Sequence, residues 1–419
     1  MWGVPAGIFL IAFFHRVAPA VMARELMQAF HATGTLVGLL SATYFYAYAG
    51  LMVPGGLLVD ALGARRVVAA GGTVMALGTV AMGVAATSPA LFAGRFAVGA
   101  GASVVFVGTL KIAAAWFPPE RFATLTAITA TVGILGSLVA TVPLAALVEA
   151  VGWRGAFWIV GAVTLGMAAL CLALVRDTPP SDGPDRESSL DLRAVLAGTW
   201  QVLKNRHTWP PFLAFFFLYS GFGNLLFWGA PYVRDVYAVS STTAASYAAA
   251  TPLALLVAGP LTGWVSDRFL RRRKLPYLVL TLAACAAWTA FVVTLGALPL
   301  RGVYALFLVM GLVSAAFVLT WPLGREVNPP HLAGVAVAVV NLGGFVGAAL
   351  TQGVIGAVLD ARWAGAEIGG ARVYPVEAYR AAFAVCAVFV LAGALVALTM
   401  RETRCDNIFH RLQGDRARA

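Results

Sequence analysis

Charge is scarce in this sequence. Only 11% of its 419 residues are Asp, Glu, Lys or Arg, whereas soluble globular proteins contain about 25%. Hydrophobic residues make up 60% of the chain, which excludes both an ordinary soluble protein and an intrinsically disordered one. The 44 glycines follow no G-X-Y repeat, so a collagen-like chain is excluded as well. The composition is typical of a polytopic membrane protein.

Sequence signatures of enzymes and metal sites are also missing. The four cysteines form no C-x-x-C pair, so neither a disulfide framework nor a zinc site is expected. The chain contains no H-E-x-x-H motif, no phosphate-binding Gly-Lys-Ser motif and no Ser/His/Asp set at membrane depth. We therefore predict that the protein is not an enzyme and that it needs no metal and no cofactor.

Twelve apolar stretches are long enough to span a membrane, which takes about 20 helical residues. Their approximate limits are 2–22, 35–57, 67–87, 90–113, 122–147, 154–175, 210–232, 242–265, 275–297, 302–322, 332–358 and 379–400. The longest polar interruption follows the sixth stretch and is rich in proline and charge. It divides the chain into an N-terminal six-helix bundle (1–176), a cytoplasmic linker (177–209), a C-terminal six-helix bundle (210–400) and a cytoplasmic tail (401–419).

The distribution of the basic residues predicts the topology. A net charge of +11 could indicate nucleic-acid binding in a soluble protein. With a cytoplasmic N-terminus, however, 20 of the 29 Lys and Arg residues fall on the cytoplasmic side, 7 on the outer side and two within spans. This asymmetry follows the positive-inside rule, so no nucleic-acid partner is needed. We predict a multi-pass monomer in the inner (plasma) membrane, surrounded by the lipid bilayer, with both termini cytoplasmic.

Three motifs occur in both halves of the chain and in the same order. They are Gly56-x3-Asp60 and Gly263-x3-Asp267, Pro118-Pro119 and Pro329-Pro330, and Trp153-Arg154-x2-Phe157 and Tyr379-Arg380-x2-Phe383. The order indicates two parallel six-helix repeats. Such repeats place a binding site at their interface near the membrane midplane, where alternating access operates around it. The predicted fold is therefore an all-α membrane protein of twelve helices.

The segment GGLLVDALGARRV, which begins at Gly55, resembles the loop 2–3 signature of the major facilitator superfamily. Arg95-x3-Gly99-x-Gly101 and Gly152-Trp153-Arg154 extend the resemblance along the chain, whereas Ala61 stands where the family usually has a basic residue. The resemblance implies a twelve-helix transporter and a conformational latch at the cytoplasmic rim. We assign this predicted latch to Asp60, Gly63, Arg65, Arg66, Asp267 and Arg268, with Asp60, Arg65 and Arg66 as an ion-pair network and Gly63 in a tight turn.

Arg16 is the most informative single residue because it lies inside the first span. A guanidinium at that depth is costly unless it faces a wet cavity or an anion. All 18 acidic residues lie in loops, in the tail or at span edges, so no span places a carboxylate at mid-depth. This combination favours a substrate with its own negative charge. The first two helices also resemble those of the organic anion:cation symporter branch of the superfamily.

Proton coupling is assigned to His15 and Arg95. His15 titrates near neutral pH when unperturbed, and the arginine that matches Arg95 in the superfamily is often linked to coupling. A structural role is the alternative for each of them, and the proton could equally travel on the anion. Pro19 removes the backbone hydrogen bond to the carbonyl of His15, which loosens the helix beside Arg16.

Further binding residues are predicted on helices 2, 7, 10 and 11. Tyr44 and Tyr48 are four residues apart and share one helix face. The other candidates are aromatic or amide side chains within spans, namely Tyr219, Asn224, Trp321 and Asn341. The predicted helix 7 (210–232) contains no Arg or Lys, which counts against a two-arginine phosphate clamp and favours a smaller charge such as a carboxylate.

The sequence thus predicts a secondary transporter that moves a small organic anion, a carboxylate, inward with protons. Two alternatives stay open. The first is a drug or metabolite efflux transporter of the same superfamily. For cationic drugs, the lack of a membrane carboxylate argues against this alternative. The second is a membrane receptor or assembly partner that transports nothing.

Overall fold

The computed structural model describes residues 1–179 and 192–418, and these residues are almost entirely helical. The helices of the first half are α1 (Gly3–Val21), α2 (Ala23–Phe30), α3 (Gly34–Leu62), α4 (Ala64–Val84), α5 (Ser88–Ala102), α6 (Val105–Trp116), α7 (Pro119–Val139) and α8 (Val142–Leu174). Those that follow are α9 (Leu192–Lys204), α10 (Trp209–Tyr237), α11 (Ser241–Ala248), α12 (Ala250–Trp264), α13 (Lys274–Thr294), α14 (Leu300–Ser314), α15 (Thr320–Glu326), α16 (Ala333–Ala361), α17 (Val376–Thr399) and α18 (Phe409–Arg418).

Shorter elements complete the second half. A π-helical turn (Val265–Leu270) continues α12, and 3-10 turns precede α15 (Ala315–Leu319) and α16 (Pro330–Leu332). Two short antiparallel strands, β1 (Glu367–Ile368) and β2 (Ala371–Arg372), form a hairpin between α16 and α17. The fold is therefore all-α apart from this hairpin, as predicted.

Eleven helical segments in the described residues are long and apolar enough to cross a membrane. The predicted fifth span (122–147) corresponds to α7 together with the start of α8. Gly152, with φ 72° and ψ 165°, interrupts the helical backbone of α8 between the predicted fifth and sixth spans. Gly63, with φ 86°, makes the sharp turn between α3 and α4 that its position predicts.

The predicted linker and the predicted tail, which lie on either side of the second half in sequence, both pack against that half. The predicted linker (177–209) falls partly on residues 180–191, which lie outside the described residues, but α9 lies within it and buries Val202 against α16. The predicted tail (401–419) also contacts the bundle, because the Ile408 amide donates to the Glu326 carbonyl at 2.8 Å. Both segments therefore lie beside the junction of α15 and α16.

Glycines allow the helices of each half to approach closely. Gly94 lies against Gly78 and Gly101 lies against Gly71, so α5 packs backbone to backbone on α4. A Cβ atom added at Gly94 would lie 2.8 Å from the Gly78 oxygen, so a larger residue would push the two helices apart. In the second half, Gly343 of α16 lies in the same way against the Phe212 carbonyl of α10.

The two halves meet along α3 and α16, which run antiparallel. Gly34 lies against Gly356, Gly38 lies against Gln352, and the Tyr46 hydroxyl donates to the Ala349 carbonyl at 3.1 Å. We call the end of the molecule at Gly34 and Gly356 the sealed end. The opposite end, with the α3–α4 turn and the start of α16, is called the basic end.

Toward the basic end, the buried face of α3 packs on its own half in the described part of the chain. Over its last 13 residues, 50–62, the buried residues are Met52, Gly55 and Val59, which share one face. Gly55 packs against Val104, and Val59 packs close to Gly108. The remaining faces are exposed or half-exposed. The contacts that the structure gives between α3 and α16 therefore lie toward the sealed end, whereas most of the α3 surface at the basic end is exposed.

Candidate functional site

Arg16 lies at the midplane, where the halves meet. Only 8% of the residue is exposed, and its guanidinium carbon lies 3.7 Å from the ring centroid of Phe13, 4.9 Å from that of Phe345 and 5.1 Å from that of Tyr48. Because Phe345 belongs to α16, both halves contribute to the surroundings of this charge. Aromatic faces attract a cation, but they do not neutralise it.

Three predicted tyrosines surround the same guanidinium. The hydroxyl groups of Tyr44, Tyr48 and Tyr219 lie close enough to Arg16 to interact with its charge. Tyr44 and Tyr48 stack with their ring centroids 5.9 Å apart, as their spacing of four residues predicts. The Tyr44 hydroxyl also donates to the Ala12 carbonyl at 3.0 Å, which fixes its ring against α1.

No carboxylate of the described residues forms an ion pair with Arg16. Its Nε is buried and has no hydrogen-bond partner among those residues. Hydrogen bonds to a charged group contribute more than neutral ones, so an unused guanidinium N–H is a strong site for an acceptor. The arrangement is suited to bind an anion of the size of a carboxylate.

The second half adds an aromatic wall to this site. Tyr219 lies 5.5 Å from Phe317 and 6.0 Å from Phe345 between ring centroids, and Trp321 lies 6.2 Å from Phe317. The Trp321 indole N–H is buried without a hydrogen-bond partner in the described part of the chain. Trp321 and Tyr219 therefore belong to one cluster, which reaches Arg16 through Phe345.

The two predicted asparagines lie in different environments. Asn341 is half-buried and lies one turn from Phe345 on the same face of α16. Asn224 is fully buried, and its Nδ2 donates to the Ser220 carbonyl at 2.9 Å and to Thr351 Oγ1 at 2.7 Å. These bonds join α10 to α16 and give Asn224 a packing role in this arrangement.

Arg95 replaces the backbone hydrogen bond that Pro19 removes. It is fully buried, and its Nη1 donates to the His15 carbonyl at 2.7 Å. In an uninterrupted helix that carbonyl would accept from the amide of residue 19, which proline lacks. The loosened turn of α1 beside Arg16 is therefore stabilised from α5 by a guanidinium.

The His15 side chain is buried next to this contact. Its Nε2 lies 3.2 Å from Thr79 Oγ1, and the Thr79 hydroxyl donates to the Met75 carbonyl at 2.7 Å. Since the hydroxyl hydrogen is used there, the pattern assigns the N–H to Nε2 of a neutral ring. The Nδ1 atom has no partner in the described residues. The coupling role of His15 and Arg95 stays a prediction.

Three aromatic residues of the site were missing from the sequence prediction. Phe13 lies three residues before Arg16 and so shares its helix face, which is a signal that the sequence contained. Phe345 similarly lies one turn beyond Asn341. Phe317, in the 3-10 turn before α15, has no such signal, because its approach to Tyr219 depends on how two separate helices pack.

At the basic end, the predicted latch residues contact their own halves. Asp60 pairs with Lys111 at 3.0 Å instead of forming the predicted network with Arg65 and Arg66. The Arg65 amide donates to Asp177 at 2.7 Å and its guanidinium to the Leu172 carbonyl, whereas Arg66 is exposed. The latch function stays a prediction for the state in which this end is closed.

Asp267, in the second copy of the latch motif, also contacts its own half. Asp267 pairs with Arg273, which also contacts Glu326 at 3.1 Å, and Arg268 is exposed. Burial opposes the charge of Arg273, but the hydrogen bonds and charges of Glu326 and Asp267 outweigh it and raise the pKa of Arg273. This group lies wholly in the second half. Glu326 is buried although it lies at a span edge, as the sequence predicts for all the acids.

The sealed end contains a contact between the halves that the sequence prediction missed. Asp360, at the end of α16, accepts hydrogen bonds from the backbone amides of Gly34 at 2.9 Å and Thr35 at 2.7 Å, which begin α3. It also accepts from the Tyr374 hydroxyl at 2.6 Å and pairs with Arg372 at 3.1 Å. A carboxylate from one half thus caps a helix N-terminus of the other.

Comparison with known sequences identifies the family of this chain. The family model of the Major Facilitator Superfamily matches residues 6–352. The chain is 24% identical over 282 residues to the probable sulfoacetate transporter SauU of Cupriavidus necator, covering 64% of this chain and 65% of that protein. It is 25% identical over 246 residues to the glycerol-3-phosphate transporter of Bacillus subtilis, covering 54% of each. The match spans less than two thirds of either relative.

Solved structures show the same fold. A bacterial homologue of the human lysosomal transporter Spinster, in an inward-facing and unoccupied conformation, matches with a TM-score of 0.75 at 18% identity, covering 94% of this chain and 95% of that one. A D-xylose-proton symporter matches with a TM-score of 0.69 at 16% identity, covering 96% and 98%. With the family model matching most of its length, the chain belongs to the Major Facilitator Superfamily and is a transporter, not an enzyme.

Proposed function

We propose that the protein transports small organic anions and that Arg16 binds their acidic group. The observation that carries this proposal is the buried guanidinium between the two halves, which has no ion pair among the described residues. Burying a charge without a partner is costly, and a substrate carboxylate would supply the missing charge. Tyr44, Tyr48 and Tyr219 would orient the anion through their hydroxyl groups.

The relatives support an anionic substrate. The printed names of two of them specify sulfoacetate and glycerol 3-phosphate, which are both small organic anions. The proposal favours a carboxylate or sulfonate over a phosphate. Helix α10 extends beyond the predicted helix 7 and includes Arg234, but that guanidinium pairs with Asp235 at 2.9 Å at the sealed end. It is therefore not available for a two-arginine phosphate clamp at Arg16.

The transport cycle that we propose follows from the two ends. In the described state the substrate would reach Arg16 from the basic end, which we place in the cytoplasm together with both termini of a monomer in the plasma membrane. Opening at the sealed end would expose the same site to the outside. We propose that protons drive inward transport, either through His15 and Arg95 or on the anion itself.

Counterflow in proteoliposomes tests the proposal. Vesicles loaded with unlabelled acetate, sulfoacetate or glycerol 3-phosphate should accumulate the labelled form of at least one of them. Arg16→Gln should lower its affinity about 10- to 100-fold, because a charge-assisted pair contributes about 1.5–3 kcal/mol. Arg16→Lys should restore only part of it, because lysine lacks the planar fork. Arg301→Gln, an exposed arginine distant from the site, is the matched control and should behave like wild type.

The same assay separates the alternatives. Unchanged affinity in Arg16→Gln would remove Arg16 from the binding site. Transport of cationic dyes with no anion counterflow would favour the efflux transporter. Anion binding to the purified protein without counterflow would favour a receptor that does not transport.

A further inference from the structure

A second buried guanidinium lies beside the same tyrosine as Arg16. The guanidinium carbon of Arg95 lies 4.9 Å from the Tyr44 ring centroid, and that of Arg16 lies 6.0 Å from the same centroid. The two guanidinium carbons are therefore at most about 11 Å apart, the sum of these two distances. Two positive charges in this weakly polar region repel each other, and an anion between them would relieve the repulsion.

Arg95 uses only part of its hydrogen-bonding capacity. Its Nη1 donates to the His15 carbonyl, but Nε and Nη2 are buried without partners among the described residues. Within those residues it has no ion pair either. A glutamine could satisfy a single carbonyl without burying a charge, so the carbonyl of His15 does not account for a whole guanidinium.

We propose that Arg95 is a second anion-binding residue, so that the preferred substrate has two acidic groups on a short carbon skeleton. This inference rests on the proposed function and specifies its substrate class. A guanidinium carbon lies roughly 4 Å from the carbon of a carboxylate that it binds bidentately. The spacing between Arg16 and Arg95 is at most about 11 Å, so it leaves at most roughly 3 Å between two acidic centres, which fits acidic groups joined through one carbon atom.

Tyr44 controls access to Arg95 in this proposal. Its ring contacts both guanidinium groups, and Arg95 is fully buried in the described state. The Tyr44 hydroxyl donates to the Ala12 carbonyl at 3.0 Å, which attaches the side chain to α1. The first acidic group binds Arg16, and a shift of the Tyr44 ring admits the second group to Nε and Nη2 of Arg95.

A purely structural role of Arg95 is the competing explanation, and Pro19 provides the means to separate the two. Pro19→Ala restores an amide that is able to donate to the His15 carbonyl. In the double variant Pro19→Ala/Arg95→Gln the carbonyl therefore keeps a donor although the guanidinium is absent. Pro19→Ala alone is the matched control.

The experiment measures binding of acetate, malonate and sulfoacetate to the purified full-length protein by calorimetry. We expect malonate or sulfoacetate to bind wild type and Pro19→Ala at least tenfold more tightly than acetate. In the double variant this preference should fall below about threefold, while acetate affinity stays within about threefold of the control. A structural role would not change the ratio between the probes.

The proposal is overturned if wild type binds acetate as tightly as the two-headed anions. It is also overturned if the preference survives in the double variant, or if all three probes weaken equally there. Should none of the three bind to wild type, the proposed function itself fails. Arg95→Lys, which retains the charge, should restore part of the preference and gives a second test if the double variant does not fold.

Discussion

Helices α3 and α16 each have an aspartate near their last residue, and the two aspartates differ in the half of the molecule that they contact. Both helices are 29 residues long, and each has an aspartate within its last three residues, Asp60 in α3 and Asp360 in α16. Asp360 bonds the first amides of α3 in the other half, whereas Asp60 pairs with Lys111 in its own half. Of these two aspartates, the one at the sealed end therefore joins the halves, whereas the one at the basic end pairs within its own half.

This difference indicates that the contacts at the sealed end determine the conformational state. A carboxylate at a helix N-terminus is stabilised by unpaired amides and by the helix dipole, and the one at the sealed end receives a phenol and a guanidinium as well. Burial and the hydrogen bond to Asp360 raise the pKa of Tyr374, so its proton stays in place. Opening the sealed end requires these bonds to break, whereas the Asp60 pair can persist within the first half.

The largest effect on stability is expected for Glu326→Ala. Glu326 is 2% exposed and contacts Arg273, so its removal leaves a buried guanidinium with one acidic partner fewer. Breaking a buried pair costs about 3–5 kcal/mol. Because all the partners lie in the second half, we expect a lower melting temperature with unchanged distances between spin labels on the two halves. A change in those distances would show that this network also controls the conformational state.

Asp360→Asn should have a smaller effect on stability but should change the conformational state. Losing the charge weakens hydrogen bonds worth about 1.5–3 kcal/mol, which shifts the equilibrium about 10-fold or more toward opening of the sealed end. Spin labels at His31 and Glu367, which are exposed at this end, should report longer distances by pulsed electron resonance. Glu377→Gln, an exposed acid on the same side, is the matched control. An unchanged distance distribution in Asp360→Asn would contradict this role.

The sequence was sufficient for the fold because composition and periodic breaks are local signals. The apolar stretches predicted the positions of the spans within a few residues. Four of the predicted spans, the fourth, fifth, eighth and tenth, are each divided between two helices, which are α5 and α6, α7 and α8, α11 and α12, and α14 and α15. Arg16 was predictable because the free-energy cost of burying its charge follows from its place within a span. Tyr44 and Tyr48 were predictable because their spacing of four residues places them on one helix face. Their neighbours on α16, such as Phe345, depend on the register between two helices that lie far apart in sequence.

The partners of the aspartates were not predictable for a related reason. Asp60 was expected to pair with Arg65 and Arg66, which follow it closely, but the helical turn at Gly63 directs Arg65 toward the end of α8. The pairing of Lys111 with Asp60 depends on the packing of α3 on α6. Nothing in the sequence around Asp360 indicates that it caps α3.

The smallest effect on stability is expected for Asp60→Asn, and this variant tests the comparison most directly. Asp60 and Lys111 are 48% and 39% exposed at their side chains, and pairs of this kind contribute about 0–1 kcal/mol. We therefore expect almost no change in melting temperature and substrate affinity within a few fold of wild type. If Asp60 becomes the latch when the basic end closes, turnover should nevertheless fall, because the variant weakens a state that this structure does not populate. Lys111→Gln removes the pair from the other side and should leave turnover near wild type. Equal slowing in both variants would show that the Asp60 and Lys111 pair matters in itself, and that the two ends are not counterparts.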